Sequence, residues 1–342
     1  MPEPCHIAVV GLGMALKPHA QALVDLQRSG EAVVAGVWSP SEARRRQAAD
    51  AYGFPVRESF DAIAADPAID AVLLLTPPNA RMAFVEVLAR AKKHILMEKP
   101  VERTTPDAVR LVELCEAASV RLGIVLQNRF RPAAVRLRAL MAEGSLGAPA
   151  VVQLSLPWWR PQSYYDEPGR GTWARDGGGV LISQAIHSLD LMLSLLGPVA
   201  SVAAIAGTSR LHRMECEDVV GAGLRFENGA LGGLFATTAA FPGGGDQLTI
   251  GGAQGSATIA RGSLQVVWRD GREEHLEGEA RTGGGADPMA FSHEPHRALI
   301  GDFIDAIRDD RDPAVTGRDA LAAHRLIDAL LRSAAEGRSV EP

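Results

Sequence analysis

The stretch Ile7-Ala8-Val9-Val10-Gly11-Leu12-Gly13-Met14-Ala15-Leu16 decides the fold. An apolar run, His6–Val10, enters a glycine turn, and a helical pattern, Met14–Gln27, leaves it. Gly11 permits the tight turn. Gly13 lets a pyrophosphate approach the backbone, and the free N–H groups around Met14 and Ala15 face its charge. The pattern is G-x-G-x-x-[G/A], with Leu16 in its last place. Leu16 is expected to weaken close helix–strand packing more than phosphate contact. Pro18 falls in the first helical turn, where no intrahelical N–H bond is lost. A glycine turn that holds no ligand is the plain alternative.

Outward from this turn the same grammar repeats. The runs Ala32–Trp38, Asp70–Leu75, His94–Met97 and Leu122–Leu126 are nearly continuous in Val, Ile and Leu. Such runs suit strands buried on both faces. Between them lie the helical patterns Ser41–Tyr52, Ser59–Ala65, Ala80–Ala91 and Thr105–Ala118. Strand and helix in alternation imply a doubly wound parallel sheet, an α/β Rossmann domain over residues 1–126.

Residues 127–342 read differently, as an α+β domain with an open, mostly antiparallel sheet. A helix, Ala133–Glu143, precedes a strand, Val151–Leu156, and a loop, Pro157–Asp176. Gly177-Gly178-Gly179 opens an apolar helix through Leu196. From Val219 short strands alternate with turns. Asn228-Gly229 and Asp270-Gly271 are read as tight hairpins with both central residues at positive φ. Residues 278–290, with Gly283-Gly284-Gly285, read as a flexible loop, and 294–309 and 317–336 as closing helices.

Composition removes several classes of function. The 342 residues carry 35 Lys and Arg against 41 Asp and Glu, a formal charge of −6. That excludes the concentrated basic surface that nucleic acid requires. No apolar run reaches the length of a membrane helix, and no secretory signal pattern opens the chain. Cys5, Cys115 and Cys216 are odd in number and widely spaced, which fits a reducing compartment. The expectation is a cytoplasmic protein with no nucleic-acid or membrane partner. The nine histidines form no metal-binding spacing, so no metal is expected.

Two further places carry chemistry. The second strand ends in Trp38-Ser39-Pro40-Ser41, where an NAD site usually offers a carboxylate. Ser39 and Ser41 are neutral donors and Arg44 follows, which favours NADP over NAD. The bland alternative has Ser41 capping a helix and Arg44 solvated. Thr76-Pro77-Pro78-Asn79 follows the third strand, and Glu98-Lys99-Pro100 follows the fourth. Ligands of open α/β sheets lie outside the carboxyl ends of the strands, so Lys99 is placed near a nicotinamide.

Taken together with Gly177-Gly178-Gly179, His187 and Asp190, these motifs resemble the glucose–fructose oxidoreductase / inositol dehydrogenase / rhizopine-catabolism (Gfo/Idh/MocA) family over nearly the whole chain. The resemblance implies NAD(P)-dependent oxidation or reduction of a hydroxyl on a sugar, cyclitol or sugar derivative. It also implies a homodimer or homotetramer formed through the C-terminal sheet. It assigns Lys99 and His187 to the proton chemistry. It assigns the cofactor to Gly11, Gly13, Met14, Ala15, Ser39, Arg44, Thr76, Pro77, Pro78, Asn79, Glu98 and Lys99. Where the family carries an aspartate one turn before the histidine, this chain has Ser183, which holds no carboxylate. Ser183 and His187 are four apart and share a helical face.

Five of the seventeen aromatic side chains fall between residues 158 and 173. Trp158, Tyr164, Tyr165 and Trp173 offer faces for sugar C–H groups, and Arg160 offers hydrogen bonds. With Asn128, Arg129, Ser183 and Gln184 they form the expected substrate set. A packed loop or an oligomer contact is the alternative for these aromatics. Two rival functions remain open from sequence: an NAD-dependent glycosidase of the same fold, and a sugar sensor that has lost catalysis.

Overall fold

The computed structural model describes residues 3–278 and 292–342, so the expected glycine loop lies, beyond Gly278, outside the described residues. The chain divides into two compact units. One contains Met1–Gln127 with His293–Leu321, the other Asn128–Ser292 with Ala322–Pro342.

In the first unit β1 (Cys5–Val10), β2 (Ala32–Trp38), β3 (Ala71–Leu74), β4 (His94–Glu98) and β5 (Leu122–Val125) form a parallel sheet. Its order is β2-β1-β3-β4-β5, which reverses direction between β1 and β3. That reversal opens a crevice at the strand ends where Gly11 and Thr76 lie. Every residue of β3 and β5 is buried, as the unbroken apolar runs require. The connecting helices are α1 (Leu16–Arg28), α2 (Glu42–Tyr52), α3 (Phe60–Ala65), α4 (Arg81–Arg90) and α5 (Thr105–Ala117). Ser41, Ser59 and Thr104 cap α2, α3 and α5 through their hydroxyls. Leu16 is buried at the start of α1 and belongs to the core.

The second unit holds α6 (Pro132–Ala142), β6 (Pro149–Pro157), the short helix α7 (Gln162–Tyr165) and α8 (Ile186–Leu196). Then come β7 (Val199–Gly207), β8 (Val219–Phe226), β9 (Leu231–Thr237), β10 (Gln247–Gly252), β11 (Gly255–Ala260), β12 (Ser263–Trp268) and β13 (Glu273–Leu276). They form one sheet in the order β13-β12-β11-β10-β6-β9-β8-β7. Only the β6–β9 pair is parallel among these strands. Strand β7 is not expected from the sequence, because VASVAAIAG carries little of the β-branched and aromatic signal that marks a strand.

Two turns differ from the expected hairpins. At Asn228-Gly229 and Asp270-Gly271 only the glycines take positive φ. Phe226 O accepts from Gly229 N–H, while Phe226 N–H reaches Ala230 O. Trp268, Gly271 and Arg272 repeat the arrangement. These are type I turns closed by a glycine bulge, one residue longer than the expected hairpins. The two-residue turn with both residues at positive φ occurs at Arg261-Gly262, where arginine gives no turn signal.

The closing helices are α9 (Glu294–Arg308) and α10 (Gly317–Glu336). The sequence places 293–321 in the second domain, and the structure places it in the first unit. There α9 lies on α1 and against β4 and β5. Its apolar stripe, Leu299, Ile300, Phe303 and Ile304, is buried. Among the described residues no helix is long and apolar enough to cross a membrane.

Candidate active site

The carboxyl ends of β1, β2, β3 and β4 carry the first unit's share. Gly11 has a φ of +98°, and a Cβ there would lie 2.8 Å from the Leu75 carbonyl carbon. Only glycine fits this turn. Over Gly13 the space is open, with nothing within 4 Å of a Cβ position. Met14 is exposed, and α1 opens at Ala15 with no side-chain cap and no acidic residue in its first turn. The buried Thr76 adds a hydroxyl, Oγ1, that has no hydrogen-bond partner among the described residues. A bare helix N-terminus under open space, with an unsatisfied hydroxyl at the next strand end, fits the pyrophosphate of a dinucleotide.

At the end of β2, Ser39 is buried and its Oγ accepts from Ser41 N–H at 3.2 Å. Ser41 caps α2, as the bland alternative has it. Arg45, which the sequence does not single out, donates through Nη1 to the carbonyls of Ser39 and Pro40 and fixes the turn. Arg46 pairs with Glu42. Arg44 is exposed, and its guanidinium makes no hydrogen bond or ion pair among the described residues. Pro77 leads into a short 3₁₀ turn, Pro78–Ala80, and Pro77 and Asn79 are exposed.

Lys99 is half-buried just past β4. Its backbone is held from both sides. Its N–H donates to Glu98 Oε2 at 3.1 Å, and Arg81 Nη2 donates to its carbonyl at 3.4 Å. Arg81 is buried, and it also donates to the carbonyls of Thr76 and Pro100. One guanidinium thus ties the loop after β3 to the loop after β4. Burial pulls its pKa down to about 10, against the opposing charges of Glu98 and Glu102. Burial would raise the Glu98 carboxyl. The hydrogen bond from His19, with the charges of His19, Lys99 and His296, outweighs it and holds Glu98 down to about 2.

In the second unit the glycine triplet opens the histidine helix. Gly179 faces Glu217 so closely that a Cβ would lie 1.8 Å from the Glu217 carbonyl oxygen. The Glu217 carboxylate accepts from Gly179 N–H at 3.0 Å and Leu181 N–H at 3.1 Å, and its carbonyl accepts from Val180 N–H at 2.9 Å. Three otherwise orphaned donors are thereby satisfied. Burial raises the Glu217 carboxyl, against the hydrogen bonds it accepts. Leu181–Ala185 then forms a wide π-type turn that runs into α8, in place of the continuous α-helix expected. Such turns are frequent at functional positions. From Gly178 to Met192 every residue is buried except Ser183 and His187. Ser183 and His187 thus stand partly exposed on an otherwise buried face, on either side of the junction between the π-type turn and α8.

Beside this face lies the aromatic loop. The Arg160 guanidinium lies 5.5 Å from the Trp158 ring centre and 5.7 Å from that of Tyr164, and Arg170 lies 4.6 Å from Tyr164. Gln184 Nε2 donates to the Tyr164 hydroxyl at 3.4 Å. Gln184 Oε1 and Trp158 Nε1 are buried without a partner among the described residues. Buried polar atoms of this kind call for a ligand or water. Arg160 is itself buried, and its carbonyl accepts from His212, whose other ring nitrogen meets Asp218 at 2.7 Å.

Two of the expected substrate residues, Tyr165 and Arg129, are engaged in the interior, while Trp173 lies beside Gly178 at the opening of the histidine helix. Tyr165 is interior, its hydroxyl 2.6 Å from Thr238 Oγ1 and its pKa raised by burial. Arg129 is buried and holds Asp190 through two bonds of 2.7 and 2.6 Å, which braces α8. Trp173 is 45% exposed. Asn128 is buried and accepts from Arg131 Nε at 3.0 Å. The sequence carries no sign of Arg81 or Glu217, because their partners are backbone atoms of loops rather than side chains. His19 has a weak one, since it falls on the apolar stripe of α1.

Comparison with known proteins agrees with this geometry. Residues 5–125 match the oxidoreductase family with an NAD-binding Rossmann fold, and residues 134–258 match the GFO/IDH/MocA C-terminal domain. The chain is 26% identical to myo-inositol 2-dehydrogenase of Thermotoga maritima, covering 98% of each. It is 28% identical to D-apiose dehydrogenase of Paraburkholderia graminis, covering 98% of this chain and 88% of that one. It superposes on the WlbA dehydrogenase of Bordetella pertussis, solved with NADH and UDP-GlcNAcA, with a TM-score of 0.82, 29% identity and 99% coverage of each chain. Both matched segments together span most of the sequence, and the chain therefore belongs to the Gfo/Idh/MocA oxidoreductase family.

Proposed function

We propose that Lys99 and His187 carry the proton chemistry of hydride transfer at a hydroxyl carbon of a sugar, cyclitol or sugar derivative. The reaction class follows from the family, an NAD(P)-dependent oxidoreductase. The observation that carries the residue assignment is the pair of exposures. Lys99 is partly open at the end of β4 beside the partly open Glu98, and His187 is the ionisable side chain left partly open on an otherwise buried helix.

The crevice residues Gly11, Gly13, Met14, Ala15 and Thr76 would hold the dinucleotide, with Pro77, Pro78, Asn79 and Glu98 shaping its nicotinamide side. When bound, the nicotinamide supplies the hydride acceptor or donor. In the oxidative direction the substrate hydroxyl gives its proton to a ring nitrogen of His187, whose ordinary pKa suits transfer near neutrality. The Lys99 ammonium donates through Nζ to the same oxygen and stabilises its developing negative charge. Gln184, Trp158 and Tyr164 orient the sugar, and Arg160 supplies a cation beside it. Ser183 cannot raise the basicity of His187 as a carboxylate would. Arg129 and Tyr165 support this surface from beneath.

We favour NADP as cofactor, because Arg44 is exposed beside Ser39 and Ser41 with its guanidinium unengaged among the described residues. We assign a homodimer or homotetramer, formed through the open face of the eight-stranded sheet. Val151, Ile205, Leu231 and Phe235 are exposed there and lie in neighbouring strands. The free cysteines Cys5, Cys115 and Cys216 support a cytoplasmic location.

The test is a nicotinamide absorbance assay with NAD⁺ and NADP⁺ against aldoses, cyclitols, uronates and UDP-sugars. Steady cofactor reduction with one class, abolished in Lys99→Ala and His187→Ala, is the expected result. Unchanged turnover in either variant overturns that residue's role. Glycoside cleavage without net cofactor reduction favours the glycosidase reading.

A further inference from the structure

A buried cluster lies directly behind Lys99, and it is built from three distant parts of the first unit. His19 comes from α1, Glu98 from the end of β4 and His296 from α9. Both histidines are within 2% of complete burial. His19 Nε2 lies 2.8 Å from Glu98 Oε1. The His19 and His296 rings meet edge to face, with centres 4.8 Å apart and planes at 89°. Glu98 turns its other oxygen, Oε2, to the Lys99 N–H. Arg81 completes the arrangement from the opposite side, at the Lys99 carbonyl.

Two histidines and a carboxylate inside a small domain are costly to bury, and packing alone would favour apolar residues there. The arrangement has a chemical direction. An ionised carboxylate is acceptor-only, so the bond to Glu98 requires a proton on His19 Nε2. That donor holds one oxygen of Glu98, which leaves the other aimed at the peptide that carries the lysine. His296 fixes the plane of the His19 ring. The chain then runs from ring to ring, ring to carboxylate, and carboxylate to the Lys99 backbone.

We propose that His19 and His296 are positioning residues for Lys99. They orient the Glu98 carboxylate, and Glu98 and Arg81 together clamp the Lys99 peptide so that Nζ is presented in one orientation. The proposal rests on the assignment of Lys99 to the reaction. The acidity of Glu98, held at about 2, keeps the carboxylate in the acceptor form throughout the neutral range. Packing and positioning make different demands on the side chain at 19. Packing asks only for volume. Positioning asks for a donor at the reach of Nε2, which glutamine retains and methionine lacks.

The full-length enzyme is assayed on the substrate the panel identifies, as wild type, His19→Met, His19→Gln, His296→Met and Lys99→Ala. His19→Met is expected to lower kcat about tenfold or more, the scale of a misplaced catalytic group. The Kd for reduced nicotinamide, read by fluorescence, is expected to stay within about twofold. His19→Gln recovers most of the lost kcat, and His296→Met shows a weaker loss of the same kind. In the free protein, long-range ¹H–¹⁵N NMR is expected to find the His19 proton on Nε2.

A kcat for His19→Met within about twofold of wild type overturns the proposal. So does a His19→Gln enzyme no better than His19→Met, or a His19 proton found on Nδ1 alone. Should His19→Met fail to melt cooperatively, Glu98→Gln serves in its place, since it keeps the volume and removes the oriented anion. Its retention of full kcat overturns the proposal equally. Unchanged turnover in Lys99→Ala is the separate outcome that removes the lysine assignment itself.

Discussion

Glu217 occupies the space that any side chain at Gly179 would need, and its carboxylate and carbonyl take the first three N–H groups of the turn that leads to His187. One residue thus supplies both the steric reason for the glycine and the cap that starts the helix. Gly179→Ala puts a methyl against the Glu217 backbone. It is expected to cost about 1–3 kcal/mol of stability, the usual range for overpacking. It should also lower turnover while leaving cofactor affinity unchanged, because Gly179 belongs to the second unit and the glycine turn to the first. Chemical denaturation and a fluorescence titration of reduced nicotinamide check the two halves.

The Glu98 carboxyl makes stability depend on acid. Its ordinary value is 4.5, and in the folded protein it is held at about 2. Between these values the unfolded chain takes up a proton that the folded chain does not. Stability from this group is complete above the upper value and is lost as pH falls through the window. The span corresponds to about 3 kcal/mol. Urea unfolding at neutral pH and inside the window should show Glu98→Gln losing less stability on acidification than wild type. Parallel losses in the two proteins would contradict the hydrogen-bonded arrangement.

Arg44 gives a cofactor prediction. Arg44→Ala is expected to weaken NADP binding about tenfold and to leave NAD binding unchanged, as loss of one charge-assisted contact would. Calorimetric titration with each cofactor decides it. Tighter binding of NAD than NADP by the wild type, with Arg44→Ala neutral, would end the NADP assignment.

The open sheet face gives an assembly prediction. Ile205 is 81% exposed and Phe235 45%, and register sets both opposite Gly221. An apolar row of this kind on a broad sheet is the mark of an interface. Replacing both with aspartate is expected to lower the sedimentation coefficient to that of a single chain, with the helical signal of circular dichroism retained. A wild-type protein that already sediments as a monomer at micromolar concentration would remove the interface.

Much of this molecule is legible in its amino-acid sequence. The first unit's strands follow from short, nearly continuous apolar runs bounded by turn residues and alternating with helical patterns. A spacing of four in an apolar run singles out Ser183 and His187, and both are left partly exposed there. Most of what escapes the sequence has partners that are backbone atoms or residues far along the chain. Nothing in the sequence singles out Arg81, whose guanidinium donates to the Thr76 and Pro100 carbonyls. Arg129 reads as a substrate residue until two of its donors are found on Asp190. The segment 293–321 reads as part of the second domain because sequence order carries no record of a return to α1. Arg261-Gly262 hides its turn because arginine seldom takes positive φ.

The return of α9 to the first unit makes the two units inseparable as genetic modules. A fragment ending at Gln127 would leave bare the surfaces of α1, β4 and β5 that α9 covers, and would lack His296 behind Lys99. Exchange of nucleotide-binding units between relatives would have to carry two separate pieces of coding sequence at once. The nucleotide-binding unit is inherited with its distant helix or not at all.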